Sequence, residues 1–74
     1  MNTAIEVAKN VKGVLAREGW TYSQAAEALG MSVITFSRRM SGKYSFTVAE
    51  LQTLADALGV TYSSLVEIPE RRNQ

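Results

Sequence analysis

The chain has 74 residues, with 8 Lys+Arg against 7 Asp+Glu and neither His nor Cys. That length suits one small domain. The missing residue types exclude disulfide staples, thiolate chemistry and the common zinc sites, and they remove the usual general base of physiological pH. We therefore expect no metal and no cofactor, and a small core held by well-capped helices. The uncharged stretch from Ala28 to Ser37 is far short of the roughly 20 apolar residues of a spanning helix. The first ten residues hold no apolar block of signal-peptide type. The expectation is a soluble protein of the cell interior.

The first predicted element is a helix over 3–18. Val7, Val11, Val14 and Leu15 share one face, Thr3 with Glu6 fits a capping box, and Gly19 marks the stop. Gly13 interrupts it and suggests a close approach of some neighbour. Lys9, Lys12 and Arg17 fall on the polar side and read as a solvated face. A second helix over 22–29 starts at a Thr21–Gln24 box, turns Ala25, Ala26 and Leu29 inward, and stops at Gly30. A third over 32–41 starts at Ser32 and puts Phe36 and Met40 on its core face. A fourth over 47–58 opens on a Thr47–Glu50 box, with Val48, Leu51, Leu54, Ala55 and Leu58 as its apolar face and Gly59 after it. A fifth over 61–67 closes the core, and Pro69 ends the fold. No stretch alternates with period two long enough to make a strand. The class is all-α: a compact five-helix domain over 1–68 and a flexible tail over 69–74.

Charge is distributed unevenly along this framework. Residues 31–47 carry Arg38, Arg39 and Lys43 without an acid, whereas 48–70 carry Glu50, Asp56, Glu67 and Glu70 without a base. The basic segment covers the third helix and the loop after it, and the second and third helices are short and joined by the tight turn Leu29-Gly30-Met31-Ser32. Such a turn swings one helix across the other in a helix-turn-helix, whose second helix can enter a DNA major groove. Opposite Phe36 and Met40, the third helix presents Val33, Ile34, Ser37 and Arg38. Val33 or Ile34 singly could be a core residue, but both cannot readily face the same core as Phe36. Exposed, they suit thymine methyl groups, and Arg38 suits guanine O6 and N7. Tyr44 lies in the basic loop, where its hydroxyl can reach a phosphate.

The run Gly19–Ser32, then Thr35-Phe36-Ser37-Arg38, Gly42-Lys43, Leu51, Leu54-Ala55 and Leu58-Gly59-Val60 resembles the lambdoid phage repressor and Cro-type helix-turn-helix domains. The resemblance spans about residues 5–67. It implies a five-helix domain that binds double-stranded operator DNA and regulates transcription, with bases read from the positions of Val33, Ile34, Ser37 and Arg38. It further implies phosphate contacts from Tyr22, Ser32, Thr35, Ser41 and Lys43, and a core contact for Trp20 between the first two helices. The segment around Arg38–Lys43 is most similar to versions from actinobacteria and their phages.

Two positions depart from the family pattern. An Arg late in the first helix and a Glu late in the third are replaced by Leu15 and Met40, so a packed apolar pair is expected where an ion pair often sits. Arg39 stands where the family often has an apolar residue. It is expected to snorkel outward to a phosphate.

The function expected is a small Cro-like repressor in a bacterial cytoplasm, a monomer or weak homodimer in solution that pairs on DNA. Tyr62, Val66, Ile68 and Pro69 are the apolar residues left for pairing. The alternative is an antitoxin or interaction adaptor working through the acidic 48–70 segment with Leu65, Val66 and Ile68. No acid/base pair, nucleophile–base pair or phosphate loop suggests an enzyme.

Overall fold

The computed structural model describes residues 3–67. Five helices follow one another: α1 (Thr3–Glu18), α2 (Tyr22–Leu29), α3 (Val33–Met40), α4 (Val48–Leu58) and α5 (Tyr62–Val66). The expected boundaries hold to within a residue, because the residues that open α3, α4 and α5 are caps rather than helical turns. Ser32, Thr47 and Thr61 have extended backbones, and each side chain accepts the N–H three residues on. The Thr21–Gln24 and Thr47–Glu50 boxes are both complete. The expected Thr3–Glu6 box is not formed with Thr3 as the cap: Thr3 is already helical, and the position before it lies outside the described residues. Ile68, Pro69 and the 69–74 tail also lie outside them.

Helices α1, α2 and α4 stop in one way. Gly19, Gly30 and Gly59 take left-handed backbones (φ 73°, 69° and 72°), which a Cβ would oppose. The next residue then donates its N–H five residues back: Trp20 to Leu15, Met31 to Ala26 and Val60 to Ala55, at 2.9, 3.0 and 3.0 Å. Those three side chains turn in and pack against the core. The apolar residue after each glycine is thus part of the stop signal.

The core takes a wholly buried residue from every helix: Val11, Ala25, Phe36, Leu54 and Leu65. Phe36 is its aromatic centre, edge-on to Tyr22 (5.3 Å between ring centres) and Phe46 (5.7 Å). Ala25 and Ala26 keep α2 thin where it lies between α3 and α4. No polar or charged residue is buried among the described residues. Helix α5 closes the base against α1 and α4. There the Asn10 Nδ2 donates to the carbonyls of Leu65 (3.1 Å) and Glu67 (2.8 Å), giving the end of α5 the partners its last carbonyls lack.

Two expectations need revising. Val48 is 59% exposed, so the covered face of α4 begins only at Leu51. Its period was right, but the first turn lies beyond what the other helices cover. Gly13 has nothing within 4 Å of where a Cβ would stand, so no neighbour approaches it. Leu15 is buried and Met40 half-buried against the same cluster, where α1 and α3 pack together.

Candidate nucleic-acid interface

The Gly30 turn sets α3 across α2, with Phe36 buried between them. A helix fixed by that one ring has its far side determined. Val33 (44% exposed), Ile34 (63%), Ser37 and Arg38 all lie on the solvent side. Neither β-branched residue belongs to the core. Two exposed apolar side chains in the first turn, followed by a hydroxyl and a guanidinium in the next, form a surface that is partly hydrophobic and partly cationic.

The groups expected to hold phosphates differ in what they have free. Lys43 and Tyr44 are exposed in the loop between α3 and α4, Tyr44 by 49%. Tyr22 is half-buried with its ring against Phe36, so its hydroxyl is the polar group it has to offer. Ser32 accepts the Thr35 N–H and donates its own proton to the Thr35 Oγ1 (3.1 Å each). The hydroxyl proton of Thr35 is therefore the outward-going one of the pair. The Ser41 Oγ donates to the Arg38 carbonyl at 2.7 Å and accepts the Lys43 N–H at 3.2 Å. Ser41 thus shapes the loop from within, and in this structure its proton is already given.

Gly42 has to be glycine here. Its φ is +83°, and a Cβ would lie 2.5 Å from Cγ1 and 3.3 Å from Cα of Ile5. The loop therefore lies directly on the first turn of α1.

Arg39 does not reach outward as expected. Its Nε donates to Glu50 Oε1 (3.2 Å) and its Nη2 to Glu50 Oε2 (3.0 Å), with both side chains only about a fifth exposed (22% and 21%). The guanidinium is in a two-pronged pair between the last turn of α3 and the first of α4, a geometry suited to Arg. Glu50 Oε1 also accepts the Thr47 N–H at 2.9 Å. Partial burial alone would raise the Glu50 carboxyl. The Thr47 N–H, the hydrogen bond and charge of Arg39 and the Thr47 hydroxyl outweigh burial and hold it below its ordinary value. The sequence marked Glu50 as a cap, but no spacing rule links it to a residue eleven positions earlier.

Among the described residues, no three His, Cys, Asp or Glu side chains come together to hold a metal. Nor is any helix long and apolar enough to cross a membrane.

A family model described as a helix-turn-helix domain matches residues 15–67, from the last turn of α1 through α5. The chain belongs to the helix-turn-helix domain family. Among solved structures, the domain is similar to a hypothetical transcription factor, NHTF, from Neisseria: 21% identical, TM-score 0.81, covering 90% of this chain and 77% of that one. It is also similar to an HTH_3 family transcriptional regulator from Vibrio cholerae: 22% identical, TM-score 0.75, covering 85% of this chain and 35% of the other. The helix-turn-helix chain thus spans about a third of the length of the Vibrio protein. Curated proteins offer no match by sequence. At these identities the likeness shows a shared fold, which in this chain is a five-helix all-α one.

Proposed function

We propose that this helix-turn-helix chain is a sequence-specific reader of double-stranded DNA that regulates transcription, most closely in the manner of a small Cro-like repressor at an operator. The observation that carries this reading is the outer face of α3. Val33 and Ile34 are exposed side by side at its N-terminal end, one turn before Ser37 and Arg38. Apolar branches at a helix N-terminus that no core covers match thymine methyls in a major groove, and a guanidinium beside them matches guanine. Thr35, Lys43, Tyr44 and the Tyr22 hydroxyl supply backbone contacts on either side, and Ser32 and Ser41 set the geometry of two of them. The names borne by the two structural neighbours, a transcription factor and a transcriptional regulator, support the same class of activity. In this reading the protein works in a bacterial cytoplasm without metal or cofactor.

Selection of bound sequences from random duplex DNA tests the proposal. A motif of a few fixed base pairs containing A·T steps and a G is the expected result. Recovery of unenriched sequence would overturn it.

The antitoxin or adaptor alternative draws less support. Leu65 is wholly buried, and Tyr62 and Val66 are half-buried against the core, so the apolar end of the segment is largely used by the fold, and Val48 is exposed alone at its other end. The same burial leaves a small patch for self-association. We expect a monomer or weak dimer in solution that pairs on a palindromic site, where DNA raises the effective concentration of two copies. A tight dimer sedimenting at micromolar concentration without DNA would contradict this.

A further inference from the structure

The domain contains two complete capping boxes, and they make an internal comparison. At α2 the Thr21 N–H donates to Gln24 Oε1 at 2.8 Å, and the Gln24 N–H to Thr21 Oγ1 at 3.1 Å. At α4 the Thr47 N–H donates to Glu50 Oε1 at 2.9 Å, and the Glu50 N–H to Thr47 Oγ1 at 3.0 Å. The two are alike in geometry, so a neutral amide suffices for the cap. The charge at position 50 must be sought in something else that Glu50 does. What it does is hold both prongs of the Arg39 guanidinium.

Arg39 lies in the last turn of α3 between the exposed Arg38 and Lys43, turned toward α4 by its pair with Glu50, and its side chain is long enough to swing toward the same basic face once released. Unpaired, it would be a third cation beside DNA, and a cation on phosphate adds affinity for any sequence alike. We propose that Glu50 is a positioning residue for specificity: it holds Arg39 off the phosphate backbone and so lowers sequence-independent binding relative to base reading. This rests on the DNA-reading function proposed above, and it concerns a residue that reads no base.

Glu50→Gln separates the two roles, because Gln keeps the cap and gives up the charge. Wild type, Glu50→Gln and Arg39→Met/Glu50→Gln are titrated against a selected and a scrambled duplex over a salt series, with thermal unfolding confirming that each is folded. Glu50→Gln is expected to bind the scrambled duplex more tightly. Its log K against log salt should steepen by about 0.9, the slope of one added phosphate contact. That corresponds to about a 3.5-fold greater fall in affinity between 50 and 200 mM salt, and the preference for the selected duplex should shrink. The double variant removes the freed cation and should return slope and preference to the wild-type values. A Glu50→Gln slope equal to wild type overturns the proposal, whether specific binding weakens or stays the same. So does a double variant that keeps the steeper slope. Wild-type protein that binds both duplexes equally, with the slope change intact, would instead defeat the sequence-specific reading and with it the specificity role, leaving only that Glu50 holds Arg39 off phosphate.

Discussion

Arg38 and Arg39 are adjacent in the chain, yet one is exposed on the outer face of α3 and the other lies against a carboxylate. Only the first is placed to meet a base. Arg38→Ala is expected to cost about 1–3 kcal/mol of specific binding and to relax preference at one position, whereas Lys43→Ala should weaken all duplexes about equally and reduce the salt slope by about 1. Titrations with duplexes altered one base pair at a time distinguish the two, and a base preference that follows Lys43 would reverse the assignment. Met40 raises a different question, because it packs half-buried on the core cluster beside which Leu15 is buried. Met40→Glu would put a carboxylate there while Arg39 is already held by Glu50. The expected loss is about 1–3 kcal/mol, the cost of a polar group without a partner, read as a lower midpoint in urea. An unchanged midpoint would mean that this carboxylate reaches water freely.

At the level of elements, two glycines carry opposite expectations. Gly13 lies inside α1 with open space where a Cβ would go. Gly13→Ala should therefore stabilise by up to about 1 kcal/mol, or raise the melting temperature by about 4–8 °C in a domain of this size. Gly42 has φ +83° under Ile5. Gly42→Ala should cost at least about 1–2 kcal/mol from the left-handed backbone alone, and thermal unfolding of the two variants should move in opposite directions. The contrast shows which parts of the fold were legible. Thr21, Ser32, Thr47 and Thr61 declare helix starts because a cap is a local bargain between a side chain and an N–H three residues on. Gly30 and Gly59 declare stops for equally local reasons. The outer face of α3 was legible once Phe36 was given to the core. What escaped depends on distant neighbours: the exposure of Val48, the open space beside Gly13, the carbonyls held by Asn10 and the pairing of Arg39 with Glu50.

For the whole molecule, stability should respond to acid through Glu50. Its folded carboxyl titrates below the ordinary value near 4.5. The stabilisation is therefore fully present above that value and is lost as pH falls through the lower, folded one. Wild-type melting temperature should drop more steeply than that of Glu50→Gln as pH is taken from 5 toward 3, and parallel curves would show that the ion pair adds nothing to folding. The bond between Asn10 and Leu65 has a consequence on another axis, that of time. Its partners are 55 residues apart in sequence. At a ribosomal pace of about 5–20 residues per second, roughly 3–11 seconds separate the synthesis of one from that of the other. Throughout that interval the apolar stripe of α1 waits for α5, which packs against it. The nascent chain therefore has its first helix available early and its closed core only after Leu65 has left the exit tunnel, and until then the Val7–Leu15 stripe is open to any chaperone that binds exposed apolar helix.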